Sequence, residues 1–278
     1  MTAHLCLGID PVAATPENSN WSEFENSVKL HADLVRYLGP RVKHLKPNLA
    51  FFIRHGSKGL GALENFVDEF TSTHNVTLDA KFGEISNTLQ AYLDFAFKTL
   101  KVHSLTLNPF LGQKTLIQGL EMAIKHADSN ARIYILCATS EGGQGSLSFL
   151  SEHWKNILTA CVEARNTVLN SSVSTSDKYS KCMGVVVGAN RTEVLKNFEI
   201  QTSRLSILSP GIGAQGASES IMREMRDSPN EILFPLSRGV FAGGLNSFEK
   251  ALKNFESFES FLNSSQSPAN LNQKVEYK

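Results

Sequence analysis

The sequence predicts a closed barrel of eight parallel β-strands that alternate with helices, a (β/α)8 TIM barrel built as one α/β domain. Short apolar runs rich in Val, Ile and Leu recur eight times along the 278 residues. Between these runs, apolar residues follow helical spacing. The strand runs are apolar nearly throughout, as expected when both faces of a sheet are covered. A doubly wound open sheet is the alternative architecture.

The eight strands are predicted in order at His4–Gly8, Val42–Lys46, Val76–Lys81, Ser104–Asn108, Arg132–Cys137, Met183–Gly188, Leu205–Leu208 and Ile232–Leu236. Together with their helices they predict a barrel domain over residues 1–262. Residues 263–278 contain too few apolar side chains to pack, which predicts a flexible C-terminal tail. The polar run at 170–178 predicts a solvated loop before the sixth strand.

The helices between the strands are predicted from apolar stripes and from their end signals. Ser22 and Glu25 have the spacing of a capping box, so the first helix is predicted to begin there, and Gly39-Pro40 predicts its end. Its stripe is Phe24, Val28, Val35 and Leu38, and similar stripes begin at Leu60, Leu89 and Phe248. We interpret all of them as helix faces that pack on the core.

Composition and charge exclude several functional classes. The chain has 27 basic and 27 acidic residues, so no net charge draws it to nucleic acid or to an anionic membrane. No apolar run approaches the roughly 20 residues that span a bilayer. The first residues lack the features of a secretory signal, and a cytoplasmic location is expected. Four widely separated cysteines are interpreted as reduced core thiols.

Charged residues in the second and third strands predict catalytic chemistry, because the working groups of this fold stand at the carboxyl ends of its strands. Asp79 and Lys81 are two residues apart and are expected to share the face that points to the barrel axis. Opposite charges inside an apolar strand are unfavourable unless they are paired. Lys46 would enter from the adjacent strand, giving an alternating series in which acidic neighbours keep Lys81 protonated. This predicts Lys81 as an acid, and a purely structural ion pair is the alternative.

The loop after the seventh strand predicts an anion site. Its glycines allow the backbone to approach an anion closely, with N–H groups exposed. Arg238 at the end of the eighth strand adds a cation that can bind in a bidentate manner. The loops after strands seven and eight commonly hold phosphate in this fold. The candidate phosphate-binding residues are Pro210, Gly213, Gln215, Gly216, Arg238 and Gly239. No zinc-like spacing of histidines is present, and we predict neither a metal nor a cofactor.

Taken together, these strand-end residues resemble the orotidine 5′-monophosphate decarboxylase family, and in particular its longer bacterial-type subgroup. The resemblance extends from Gly8-Ile9-Asp10-Pro11 to Arg238-Gly239, nearly the whole chain. Its most specific pieces are residues 46–52, 79–88, 107–112 and 210–216. It implies a carboxy-lyase that converts orotidine 5′-monophosphate to UMP in pyrimidine biosynthesis, with a nucleotide as its small-molecule substrate.

The resemblance also implies a role for each matched position. Asp79 would lie against the substrate carboxylate, and Lys81 would protonate C6 after carbon dioxide leaves. The other positions would bind the rest of the nucleotide: Asp10 and Lys46 the ribose hydroxyls, Ser140 the pyrimidine amide edge, and Gln215 with Arg238 the 5′-phosphate. Glu84 and Thr88 would reach into the site of a neighbouring subunit, which implies a homodimer with composite sites.

The chain departs from the family pattern in three places. Glu84 stands for the second aspartate of the motif, Phe82 for the arginine usual in the subgroup, and Glu141-Gly142-Gly143 for its usual Asn-Pro-Gly. The motif D-x-K-x-x-D is here Asp79 to Glu84, and the glutamate carries an extra methylene. A displacement near 1 Å can reduce a rate by on the order of 10²-fold. These departures leave open a catalytically silent nucleotide-binding homologue. Related barrels that share the Asp-x-Lys pattern leave open a metal-dependent enzyme that acts on a sugar phosphate.

Overall fold

The computed structural model describes residues 2–11, 20–126, 132–140, 152–171, 181–213, 217–241 and 247–264 of the chain. Eight parallel strands form a closed barrel in sequence order, and β1 pairs with both β2 and β8. The strands are β1 Ala3–Ile9, β2 His44–Pro47, β3 Asn75–Phe82, β4 Ser104–Leu107, β5 Arg132–Ala138, β6 Met183–Val187, β7 Ser206–Leu208 and β8 Ile232–Leu236. Closure confirms the predicted (β/α)8 barrel and excludes the open doubly wound sheet.

Helices connect the strands within the described ranges. They are α1 Trp21–Leu38, α2 Leu49–Ile53, α3 Gly56–Phe70, α4 Ser86–Asp94, α5 Gln113–His126, α6 Trp154–Ser171, α7 Thr192–Leu195, α8 Phe198–Thr202, α9 Ser220–Glu224 and α10 Phe248–Asn263. Short 3₁₀ turns lie at Gly39–Arg41 and Pro109–Leu111, and a π-helical turn at Phe95–Thr99 follows α4. No helix in these ranges is both long and apolar enough to cross a membrane.

The strands are apolar because both of their faces are covered. Every residue of β5, β6 and β8 is buried. Outward side chains pack with the helices in the main core, whereas a second buried cluster holds inward residues of β1, β5, β6, β7 and β8. That inner cluster comprises Cys6, Tyr134, Leu136, Val186, Leu208 and Leu233. The barrel interior is therefore a packed core whose upper surface forms the floor of a cleft.

The start of α1 differs from the prediction, and its end agrees with it. The helix begins at Trp21, and the Asn20 side chain caps it by accepting a hydrogen bond from Glu23 N at 2.8 Å. The predicted capping box of Ser22 and Glu25 is therefore wrong, because an asparagine two residues earlier is an equally good cap. The helix ends at Leu38, and Gly39 follows with a φ of 51°.

The predictions for the cysteines, the polar loop and the C-terminal tail have different outcomes. All four cysteines are free and buried, as predicted. The helix α10 ends at Asn263. The predicted loop at 170–178 begins too early, because Asn170 and Ser171 still belong to α6. Its residues 172–178 and the segment 265–278 lie outside the described residues. The C-terminal tail and the domain boundary at 262 therefore stay predictions.

Candidate active site

A cleft of about 380 Å³ opens at the carboxyl ends of the barrel strands. Its floor is formed by the inward apolar residues Leu136, Val186 and Leu208. Polar side chains from several strand ends surround it: Asp10, Lys46, Asn48, Asp79, Lys81, Thr106, Ser140 and Arg238. The fold thus gathers side chains that lie far apart in sequence around one cleft.

Three charged residues form a continuous series in this cleft. Lys46 Nζ lies 2.7 Å from Asp79 Oδ2, and Lys81 Nζ lies 2.6 Å from Asp79 Oδ1. The side chains of Lys46 and Asp79 are 7% and 10% exposed, whereas that of Lys81 is 49% exposed. One buried carboxylate therefore bridges a buried ammonium group and an accessible one.

The electrostatics of this series keep both buried groups ionised. Burial alone would raise the pKa of Asp79, but the charges and hydrogen bonds of Lys46 and Lys81 hold it well below its usual range. Burial alone would lower the pKa of Lys46, but Asp79 and Asp10 outweigh that effect and raise it above its usual range. At neutral pH the buried part of the series is therefore a carboxylate paired with an ammonium group.

Asp10 presents an unused acceptor to the cleft. It follows β1 and lines the cleft beside Lys46. Its buried Oδ1 has no hydrogen-bond partner among the described residues. A buried acceptor without a partner is unfavourable. A ligand hydroxyl group that donates a hydrogen bond to Asp10 Oδ1 would satisfy it.

Ser140 lies at the end of the loop segment that follows β5 in the described structure. Its carbonyl oxygen accepts a hydrogen bond from Asn190 Nδ2 at 2.8 Å. Gly188 follows β6. A Cβ on this residue would lie 2.8 Å from Ser140 N, so there is no room for a side chain here. Asn190 and Gly188 thus fix the main chain of Ser140. Their position after a strand could be read from the sequence, but their contact with Ser140 could not.

The predicted anion site is partly described. Pro210, Gly211, Ile212 and Arg238 line the same cleft, and the Arg238 side chain is exposed there. No carboxylate in the described part of the chain forms an ion pair with Arg238, so its charge is available to a ligand. Gly213, at a φ of 70°, does not line the cleft. Gln215 and Gly216 lie outside the described residues.

Three other predicted residues do not line the cleft of a single chain. Glu84 is half-buried beyond the end of β3, and Thr88 is exposed in the first turn of α4. A Cβ at Gly239 would lie 3.1 Å from the Phe258 ring, so this residue packs against α10. In the described ranges no three His, Cys, Asp or Glu side chains gather where they could hold a metal ion.

Comparison with known proteins identifies the family. Residues 3–226 match the model of the orotidine 5′-phosphate decarboxylase / HUMPS family. The chain belongs to this family. This confirms the resemblance seen in the sequence and the prediction of a carboxy-lyase.

Relatives in this family match over most of their length. The chain is 31% identical over 252 residues to an orotidine 5′-phosphate decarboxylase of Herpetosiphon aurantiacus, covering 90% of this chain and 88% of the relative. It is 32% identical over 215 residues to that of Roseiflexus castenholzii, covering 77% and 74%.

Solved structures share the decarboxylase fold with this chain. The OMP decarboxylase of Leishmania donovani matches with a TM-score of 0.65 at 24% identity, covering 94% of each chain. The Methanocaldococcus jannaschii enzyme complexed with the inhibitor BMP matches with a TM-score of 0.65 at 16% identity, covering 95% of this chain and 100% of the other. At these identities the likeness concerns the barrel fold alone.

Proposed function

We propose that this protein converts orotidine 5′-monophosphate to UMP and carbon dioxide without a cofactor, with Lys81 as the proton donor to C6. The observation that carries the proposal is the Lys46–Asp79–Lys81 series, joined at 2.7 and 2.6 Å, in a cleft that also exposes the Arg238 guanidinium. Family membership supports the same reaction. UMP, the product, would enter pyrimidine nucleotide synthesis. The enzyme would act in the cytoplasm.

The proposed chemistry follows from the charge of Lys81. When the bond between C6 and the carboxylate breaks, carbon dioxide leaves and the electron pair stays on C6. Many decarboxylases place this pair on a cofactor that acts as an electron sink. Here the ammonium group of Lys81 would stabilise it electrostatically and then transfer a proton to C6. Asp79 would lie against the substrate carboxylate, where its like charge favours the departure of carbon dioxide.

The remaining residues would bind the nucleotide away from the reacting bond. Asp10, with its free Oδ1, and Lys46 would hold the ribose hydroxyls. Ser140 would contact the pyrimidine amide edge. Arg238 would bind the 5′-phosphate together with the loop that contains Pro210, Gly213, Gln215 and Gly216, and with Gly239. Binding energy from the distant phosphate would support chemistry at C6.

The test of this reaction is loss of the orotate absorbance when the purified protein meets orotidine 5′-monophosphate. We expect turnover that EDTA does not reduce, and loss of it in Lys81→Ala. Lys98→Ala removes an exposed lysine that pairs with Asp94 outside the cleft and should remain active. An active Lys81→Ala enzyme would overturn the assignment. Tight UMP binding in calorimetry without turnover would identify a silent homologue. Turnover of orotidine 5′-monophosphate that EDTA does not reduce would exclude the metal-dependent sugar-phosphate enzyme.

We further propose a homodimer in which Glu84 and Thr88 complete the cleft of the partner subunit. Ile85, which follows Glu84 in the sequence, is 54% exposed, and Phe110 and Leu111, which follow β4, are 56% and 39% exposed. Large exposed apolar side chains favour an interaction surface. We expect a second copy of this chain to cover this surface. Glu84, which does not line the cleft of its own chain, would then reach the cleft of the partner subunit.

Mixed subunits test this arrangement. Lys81→Ala and Glu84→Gln are each expected to be nearly inactive alone. A hybrid dimer would contain one site with both wild-type residues, so an equal mixture should recover about a quarter of wild-type activity. Sedimentation should show a dimer. A monomer, or no recovery on mixing, would contradict shared sites.

A further inference from the structure

The ladder between β3 and β4 breaks at the charged residues. Leu78 pairs with Leu105, and Phe82 pairs with Leu107, so a four-residue step on β3 faces a two-residue step on β4. The extra residues form a bulge that includes Asp79 and Lys81. Lys81 has a φ of 53°, in the left-handed region that side-chain-bearing residues rarely adopt. A bulge of this kind re-aims side chains and removes regular ladder partners.

One hydroxyl group on β4 binds three groups of this bulge. Thr106 Oγ1 accepts hydrogen bonds from the main-chain N–H groups of Ala80 at 3.0 Å and Lys81 at 2.9 Å. The same hydroxyl donates to Asp79 Oδ1 at 3.0 Å. Thr106 is 1% exposed, so water does not compete for these bonds. A hydroxyl has one proton and two lone pairs, and here all three are used.

We infer that Thr106 is a positioning residue for the reaction at Lys81. Its hydroxyl holds the left-handed backbone from which Lys81 projects. It also fixes Asp79 Oδ1, the oxygen that binds Lys81 Nζ at 2.6 Å. Both the origin and the end of the Lys81 side chain therefore depend on one hydroxyl. The kinetic part of this inference rests on the proposed decarboxylation.

The hydroxyl group, and not the volume of the side chain, is what the inference requires. Valine has nearly the shape of threonine but would leave two partly buried N–H groups and one carboxylate oxygen without this partner. The bulge would then relax, and Lys81 Nζ would shift from its position. A shift near 1 Å is enough to lower a rate by on the order of 100-fold.

The kinetic experiment compares Thr106→Val with Thr106→Ser. We expect kcat to fall by on the order of 100-fold in Thr106→Val, with a much smaller change in KM, because the phosphate contacts come from other strands. Thr106→Ser keeps the hydroxyl and should recover most of kcat. Thr115→Val is the matched control, since this buried hydroxyl in α5 donates to the Leu111 carbonyl at 3.2 Å, in the 3₁₀ turn before the helix. Wild-type kcat in Thr106→Val, or no recovery in Thr106→Ser, would overturn the inference.

A second readout does not depend on turnover. Amide hydrogen exchange at Ala80 and Lys81 should accelerate in Thr106→Val and return toward wild type in Thr106→Ser; unchanged protection would overturn the inference. If Thr106→Val does not fold, Thr106→Cys supplies a similar volume with a weakly bonding thiol, and the same two outcomes apply. If the wild-type protein fails to decarboxylate the substrate, the proposed function fails, and amide exchange alone decides the role of Thr106.

Discussion

At the scale of single residues, Asp79 is the group on which both lysines depend. Substituting Asp79→Asn would leave the Lys46 ammonium, 7% exposed, without its negative partner. Breaking a buried ion pair by removing one member destabilises a protein by about 3–5 kcal/mol. We expect a loss of that size in the free energy of unfolding, measured by urea denaturation at pH 7.

The control for this prediction is an exposed pair of the same chemistry. Asp94 binds Lys98 at 2.8 Å on the surface, with both side chains more than a third exposed. Exposed pairs contribute little because water and salt screen them. Asp94→Asn should therefore lower stability far less than Asp79→Asn. Equal losses in the two variants would show that Asp79 does not hold a desolvated charge.

The charged residues of the cleft could be predicted from sequence, and Thr106 could not. Lys46, Asp79 and Lys81 stand out because charges are rare inside apolar strands. A threonine in β4 looks like ordinary strand composition. Its role arises from the bulge in β3, which shifts the register so that its hydroxyl meets two N–H groups. The only sequence signal was its position near the carboxyl end of a strand.

At the scale of elements, the loop after β6 supports the loop after β5. A Cβ at Gly188 would lie 2.8 Å from both N and Cα of Ser140 and 2.8 Å from Asn190 Oδ1. Because those atoms belong largely to main chain, Gly188→Ala would displace Ser140. Overpacking of this kind destabilises by about 1–3 kcal/mol. We expect UMP affinity, measured by calorimetry, to fall on the order of tenfold, about 1.4 kcal/mol.

Gly61 provides the contrasting glycine. It lies inside α3, and a Cβ there would meet no atom within 4 Å. Gly61→Ala should therefore raise the free energy of unfolding by about 0.5–1 kcal/mol, because alanine loses less backbone entropy in a helix. UMP affinity should not change. If Gly188→Ala bound UMP as tightly as Gly61→Ala, the loop after β6 would have no part in placing Ser140.

The elements themselves followed from local patterns with small errors at their ends. All eight strands appear where apolar runs predicted them, because burial of both faces leaves few polar residues in a strand. The end of α1 was also correct, since Gly39 can adopt a positive φ. Its start was wrong because Asn20 and Ser22 are both good N-caps, and sequence alone does not choose between them.

At the scale of the whole molecule, buried histidines link stability to acid. His31 in α1 packs on the Phe241 ring at 4.0 Å, and its Nδ1 lies 2.7 Å from the Ser27 carbonyl oxygen. Burial lowers the pKa of His31 to about 4. His44 in β2 is also buried, and burial together with the nearby charge of Arg132 lowers its pKa to about 3. Both histidines are therefore neutral in the folded protein at pH 5.

The sign of the pH dependence follows from the unfolded chain. There the histidine pKa is about 6.5, so below that pH the unfolded state binds more protons than the folded state. The stabilisation is fully present above pH 6.5 and is lost as the pH falls toward the folded pKa values. Through each of these histidines, the free energy of unfolding of the protein should fall by roughly 2 kcal/mol between pH 7 and pH 5. The low pKa of Asp79 acts only below about pH 4 and does not contribute in this range.

Urea unfolding at pH 7, 6 and 5 measures this dependence. His44→Gln removes one titrating group, so its unfolding free energy should fall by roughly 2 kcal/mol less over this range than that of the wild type, even though the variant starts from lower stability. His126→Gln changes an exposed histidine at the end of α5 and should keep the wild-type slope. The half-buried His4 has a pKa lowered in the same direction and adds to the slope in every variant. A His44→Gln slope equal to that of His126→Gln would mean that His44 becomes protonated in the folded barrel.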